Sequence, residues 1–210
     1  MKHLNQFITE YIIKKKLDKP IDSENKYKYF PKTKDELINN IKELFDKGET
    51  DLNCIATNKI TNMADLFFNI RNINFDVSKW DVSNVTNMTN MFYNCSNFKG
   101  KGLENWDVSN VEIFIGMFTY CSNIYDIDFS NWDISNGKYL NSMFFECKKF
   151  KGNGLENWSV GKVKDMSSMF YNCTNFNCDL SNWDRSNVKN MSFAFYNWKS
   201  LKNTPSWYKA

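Results

Sequence analysis

The sequence has one histidine, three prolines and eight glycines in 210 residues. The histidine, His3, stands beside the N-terminus. Ser-His-Asp triads, histidine acid/base chemistry and histidine-containing zinc sites are therefore not expected. No apolar run reaches the roughly 18 residues that a membrane-crossing helix needs. Neither charge sign dominates: 27 Lys and Arg face 24 Asp and Glu, a net +3. That balance does not call for nucleic acid. The excess is also local, with five lysines against Glu10 and Asp18 in residues 1–20, and 16 basic against 15 acidic side chains in 51–210. No P-loop, G-x-S-x-G, H-E-x-x-H or paired-carboxylate arrangement occurs. Gly100, Gly102, Gly152 and Gly154 read as tight bends rather than phosphate cradles, because no helix start with a following lysine is placed there. No catalytic residue, cofactor or metal ion is expected.

Against these shortages stand 31 asparagines and 35 aromatic residues, 18 Phe, 10 Tyr and 7 Trp. The aromatics imply a packed core and exclude intrinsic disorder. With so little Gly and Pro, corners must be turned by Asn, whose side chain bonds nearby backbone and tolerates unusual dihedrals.

Two markers recur with one period. Trp80, Trp106, Trp132, Trp158 and Trp183 are 26, 26, 26 and 25 residues apart. Phe67, Phe92, Phe118, Phe144, Phe170 and Phe195 are 25, 26, 26, 26 and 25 apart. The unit reads Val-x-x-Met-x-x-Met-Phe-x-x-Cys-x-x-Phe, then Leu, then Asn-Trp-Asp-Val-Ser-Asn. Its clearest copy is Val85, Met88, Met91, Phe92, Cys95, Phe98, Leu103 and Trp106. A unit this short cannot cover its own apolar face, so neighbouring units must cover it. The spacing through Met-Phe-x-x-Cys predicts a short helical turn, and the Phe-to-Trp stretch a short extended segment. The expected fold class is therefore an α/β repeat solenoid, in which strands of successive coils pair in parallel.

The run Trp80-Asp81-Val82-Ser83-Asn84-Val85-Thr86-Asn87-Met88 matches, residue for residue, the repeat that typifies BspA-like leucine-rich-repeat surface proteins of bacteria. The resemblance covers about residues 51–204. It implies a leucine-rich-repeat-like right-handed coil and a non-enzymatic role in binding another macromolecule, protein or glycan. The family is mostly exported. The opening MKHLNQFITEYIIKKKLDK is broken by Asn5, Gln6, Thr9 and Glu10 and does not read as an export signal. A cytoplasmic or virion location is expected instead, with no nucleic-acid and no membrane partner.

Four segments follow. Residues 1–25 are a basic amphipathic helix and linker, with Leu4, Phe7, Ile8, Tyr11 and Ile12 on one face as a docking surface. Met1, Lys2, Leu4, Phe7, Ile8 and Glu10 also resemble the short tags of some tailed-phage virion proteins. That resemblance implies the alternative role, a phage virion-associated structural or packaged protein. Residues 26–50 are a helical N-terminal cap, with Thr33-Lys34-Asp35-Glu36 as a capping box and Gly48 as the stop. Residues 51–204 hold six units, and 205–210 are a tail.

Three columns carry candidate chemistry. Cys95, Cys121, Cys147 and Cys173 have repeat spacing, which suits buried reduced thiols rather than zinc ligands or disulfides. Asp81, Asp107, Asp133 and Asp184 suit turn capping rather than calcium, because Ser159 breaks the ladder. The residue after each inward Phe should point partly outward. Phe68, Tyr93, Phe145, Tyr171 and Tyr196, interrupted by Thr119, then form an aromatic ridge able to bind a partner.

Overall fold

A computed structural model describes residues 26–198 and Trp207. Helix α1 spans Lys34–Asp46. Thr33 caps it, its Oγ1 accepting from the Glu36 N–H at 3.2 Å. The Glu36 carboxylate reaches back past the cap to the Lys32 N–H. Gly48, at φ 77°, closes the far end, and the Glu49 N–H returns to the Leu44 carbonyl. Leu37, Ile41, Leu44 and Phe45 are buried. They cover the first coil, where Phe45 meets Phe75 edge-on and Lys34 Nζ donates to the Ala64 carbonyl. Helix α1 thus occupies the N-terminal end of the repeat stack.

Each junction between units repeats one bonding scheme. The N–H groups of Met88, Asn90, Phe92 and Asn94 donate to the carbonyls of Ile113, Ile115, Met117 and Thr119 in the next unit. Phe114, Gly116, Phe118 and Tyr120 do the same to Tyr139, Asn141, Met143 and Phe145. The intervening N–H groups stay within the unit: Met91 donates to Met88, Tyr93 to Asn90 and Cys95 to Phe92. Alternate donors therefore close three-residue turns and join neighbouring units, which satisfies the backbone without a sheet.

Side chains complete the junctions from the other direction. The indole N–H groups of Trp80, Trp106, Trp132, Trp158 and Trp183 donate to the carbonyls of Leu52, Val77, Leu103, Phe129 and Leu155. Each of these carbonyls also accepts a turn N–H from its own unit, so both lone pairs are used. Inside, Phe67, Phe92, Phe118, Phe144 and Phe170 stack at 5.5–5.8 Å with interplanar angles of 3–12°. Trp132, Trp158 and Trp183 form a second stack at 6.4 and 6.5 Å. The ring of Trp207 meets Phe195 edge-on at 5.7 Å.

The architecture corrects the expected α/β solenoid, a leucine-rich-repeat-like right-handed coil of short parallel strands and short helical turns. Among the described residues no sheet forms and α1 is the only α-helix. Parallel contact between units is reduced to isolated bridges, as at Asn62–Asn87, Asn87–Ile113, Ile113–Tyr139, Tyr139–Asp165 and Asp165–Asn190. The reason lies in the backbone. Two residues in every unit are left-handed: Asn90 and Asn94, Gly116 and Tyr120, Ser142 and Glu146, Ser168 and Asn172. Each is the third residue of a turn, where positive φ is characteristic of type II. A left-handed residue every fourth position interrupts both helix and strand. Closing i to i+3 places residues three apart on one side, as a helix does, so the apolar spacing matched a helical turn that is not formed.

The other bends also take unusual dihedrals. Gly102 and Gly154 lie at φ 83° and 85° and lead into 3-10 turns at Leu103–Asn105 and Leu155–Asn157. A Cβ on Gly102 would stand 2.7 Å from Ser78 Cα, and one on Gly154 2.1 Å from Ser130 N.

Candidate functional site

The aromatic ridge forms, and it is longer than the sequence suggested. Phe68 stacks on Tyr93 at 4.6 Å, Phe145 on Tyr171 at 4.7 Å and Tyr171 on Tyr196 at 4.8 Å. Thr119 does not break the row. Its side chain turns inward, 4% exposed, and Oγ1 donates to the Ser142 carbonyl at 2.6 Å. The next residue, Tyr120, takes the vacant place, edge-on to Tyr93 at 5.8 Å and to Phe145 at 5.6 Å. Tyr120 was missed in the sequence because its column otherwise holds Asn69, Asn94, Glu146, Asn172 and Asn197. The available signal was that Tyr120 stands where a left-handed Asn belongs while Thr119 stands where an aromatic belongs. At the C-terminal end Phe193 adds a further ring, edge-on to Tyr196 at 6.2 Å.

The ridge projects from the turns because the residue following each inward Phe points away from the core. Phe68, Tyr93, Phe145 and Tyr171 are half-buried, while Tyr120, Tyr196 and Phe193 are exposed. Its flank is amide-rich: Asn172 Nδ2 donates to Glu146, and Asn197 Nδ2 to Asn172. Charge is sparse. Arg71 donates through Nε to Asn69 at 2.7 Å, and Glu146 pairs with Lys148 at 3.2 Å. A shallow hollow lined by Phe68, Asn69, Arg71, Tyr93, Asn94 and Tyr120 marks one end. Burial raises the Tyr120 phenol, with the neighbouring Tyr93 adding to it.

Ring orientation constrains what the ridge can contact. Where rings lie parallel at 4.6–4.8 Å, each covers its neighbour's face. What remains outward is ring edges and the Tyr hydroxyls. A sugar ring normally lies on an aromatic face, and one face of each ring is covered within each stacked pair.

The other sequence candidates are structural in their contacts. Cys95, Cys121, Cys147 and Cys173 are at most 1% exposed. Their thiols donate to the carbonyls of Phe67, Phe92, Phe118 and Phe144 at 2.9–3.0 Å. Burial pushes all four thiols up, Cys121 to about 12, which makes them poor nucleophiles. Cys54 is half-buried. Cys178 lies 3.1 Å from Glu156 Oε2, and burial followed by that carboxylate pushes its thiol up. Asp81, Asp107, Asp133 and Asp184 each accept from the N–H two residues on, in Ser83, Ser109, Ser135 and Ser186, at 2.9–3.1 Å. These are Asx turns.

A second groove is lined by Asp128, Lys151, Gly152, Gly154, Glu156, Cys178 and Asp179, among others. Asp128 and Asp179 are engaged by the N–H groups of Ser130 and Ser181. Among the described residues no cluster of three or more His, Cys, Asp or Glu could hold a metal ion, and no helix is long and apolar enough to cross a membrane. The docking surface of Leu4, Phe7, Ile8, Tyr11 and Ile12 lies outside the described residues.

Comparison with known families matches residues 36–153, and again 93–208, to the one described as "Mycoplasma protein of unknown function, DUF285". The two overlapping matches take in α1 and the repeats. No curated protein and no solved structure matches the chain.

Proposed function

From the premise that the chain belongs to the DUF285 family, a BspA-related repeat family, we propose that it is a non-enzymatic binding protein whose partner is another protein, held along the aromatic ridge. The finer resemblance to BspA-like leucine-rich-repeat surface proteins points to the same class of role. One observation carries the reading: a continuous row of aromatics, Phe68 to Tyr196, stands on the surface with few charges around it. Aromatic enrichment with depletion of charge is the signature of a protein-interface core. Tyr in particular offers large amphipathic area at low entropic cost. The occupied ring faces favour a protein over a glycan.

Photo-cross-linking tests this. p-Benzoylphenylalanine at Tyr93 should give discrete adducts in extracts of cells expressing the protein. The same group at Tyr125, exposed but off the ridge, should give none. Protease-sensitive, glycosidase-resistant adducts at Tyr93 support the reading. Glycosidase-sensitive adducts, or equal labelling at both positions, overturn it. Replacing Phe68, Tyr93 and Tyr171 together by Ser should abolish capture while near-ultraviolet circular dichroism persists.

A further inference from the structure

The face that carries the isolated bridges from Asn62 to Asn190 is polar except at its centre. In its four outer coils the bridge residue is Asn or Asp, and a side-chain oxygen accepts the N–H two residues on. Asn62 accepts from Ala64, Asn87 from Thr89, Asp165 from Ser167 and Asn190 from Ser192, at 2.8–3.2 Å. The two central coils break this rule. Ile113 and Tyr139 hold the bridge position there, and neither side chain can cap the turn. The N–H groups of Ile115 and Asn141 find no acceptor among the described residues. Tyr139 is 36% exposed, and Ile113 and Ile115 are half-buried. The centre of the face thus gives up two turn bonds and shows apolar surface instead, which marks an interaction site rather than a folding need. A charged pair borders it in the same two coils: Lys138 Nζ lies 2.7 Å from a Glu112 carboxylate oxygen, with side chains 35% and 46% exposed.

We propose that this face joins two copies of the chain, packed face to face and running in opposite directions. Charge complementarity carries the choice of a second copy. Ile113 and Tyr139 are bridge partners one coil apart, and Glu112 and Lys138 stand one residue before them. A half-turn about an axis between these two coils exchanges their places. It sets Ile113 of each copy against Tyr139 of the other, and Glu112 of each against Lys138 of the other. A closed two-fold interface requires this self-complementarity. The half-exposed ion pair becomes an alternating ring of four charges beside an apolar centre. In the flanking coils Asn87 meets Asp165, which supplies a polar rim. A copy running in the same direction would set Glu112 against Glu112 and Lys138 against Lys138, which like-charge repulsion disfavours. The aromatic ridge takes no part, so the proposal goes beyond the reading of the ridge and does not depend on it.

Sedimentation velocity of the full chain over a range of concentrations should show a reversible monomer–dimer equilibrium. Ile113→Asn together with Tyr139→Asn gives the two central coils the bridge residue of Asn62, Asn87 and Asn190. The pair of substitutions should weaken the dimer by about tenfold or more. It should leave the melting temperature equal or higher, because both turns regain their caps. Glu112→Lys alone and Lys138→Glu alone should each weaken the dimer, since like charges then face one another. Mixed together, these two variants should pair again, because each lysine then faces a glutamate. Recovery in the mixture identifies a second copy as the occupant. A monomer at every concentration overturns the proposal. So does a dimer that survives Ile113→Asn with Tyr139→Asn, or a failure of the charge variants to pair on mixing. Growth beyond the dimer overturns it as well, because a two-fold face closes on itself.

Discussion

Replacing Trp132 by Phe removes one indole from the middle of the stack and leaves a ring in its place. Trp132 is 2% exposed, and its Nε1 donates to the Leu103 carbonyl at 2.7 Å. That carbonyl keeps a second donor, the Trp106 N–H at 3.1 Å, so it is not orphaned. The lost bond should therefore cost about 1 kcal/mol, not the about 1–3 kcal/mol of an unsatisfied buried acceptor. Loss of the second ring adds about 1–2 kcal/mol, a fraction of the about 3–5 kcal/mol for full truncation of a buried aromatic. The sum, about 2–3 kcal/mol, should lower the melting temperature by about 4–12 °C in a chain of this size. Urea unfolding followed by fluorescence measures the free energy. Exciton circular dichroism reports the stack directly, because Trp132–Trp158 is one of its two close parallel pairs. Tyr125→Leu, at a side chain 39% exposed, is the control and should change stability by about 0.5 kcal/mol or less. If Trp132→Phe costs no more than Tyr125→Leu, the indole ladder does not hold the units together and the argument fails.

Three further predictions concern the thiols, the carboxylates and the bends. In native protein a thiol reagent should label Cys54 first and the buried Cys95, Cys121, Cys147 and Cys173 only on the timescale of unfolding; rapid labelling of all six would contradict the thiol–carbonyl ladder. Stability should fall as pH drops below about 4, the unfolded carboxylate range. Asp133 and Asp184 are held low by the Ser135 and Ser186 N–H groups; at Asp76 burial pulls upward but is outweighed by Ser78, Asn53 and Lys101. A depressed folded pKa stabilises above the unfolded value and loses that contribution as pH falls through the folded one, so a melting temperature flat between about pH 5 and 3 would refute this. Gly102→Ala and Gly154→Ala should each cost about 1–3 kcal/mol or more, from left-handed strain and overpacking, and wild-type stability in either would show that the bend relaxes.

The period and the columns were legible because an apolar residue that must be covered by its neighbour recurs at fixed spacing. Buried Phe92, Met91 and Cys95, the turn role of Asp81 and the helix between Thr33 and Gly48 follow from that logic and from capping chemistry. The backbone path was not legible from the apolar pattern. Met88, Met91, Phe92 and Cys95 are spaced as on a helix, but successive three-residue turns produce the same spacing. The discriminating signal was polar: Asn90 and Asn94 sit where a left-handed residue is required, and Asn is the side chain that tolerates it best after Gly. Five asparagines, Asn69, Asn90, Asn94, Asn172 and Asn197, thus marked the backbone more directly than the hydrophobic columns did. At the ridge, five of its rings followed from the repeat. Tyr120 did not, because it reaches the row from the neighbouring column after Thr119 turns inward.

Four backbone bonds at each junction run forward from the turn columns of one unit to the next, and others return, as from Lys138 and Tyr139 to the Glu112 carbonyl and from Asn175 and Asn177 to those of Lys148 and Lys151. Within the turn columns the forward-running peptide dipoles share one sense along the stack, as those of an α-helix do along its own axis. The carbonyl pole lies at the first coil, where the Lys34 ammonium sits on Ala64. The amide pole lies at the last coil, among Met191, Phe193 and Asn197. The polarity is the reverse of a helix, negative at the N-terminal end and positive at the C-terminal end. The turn columns of a chain of nearly balanced charge thereby carry an electrostatic direction set by the backbone alone.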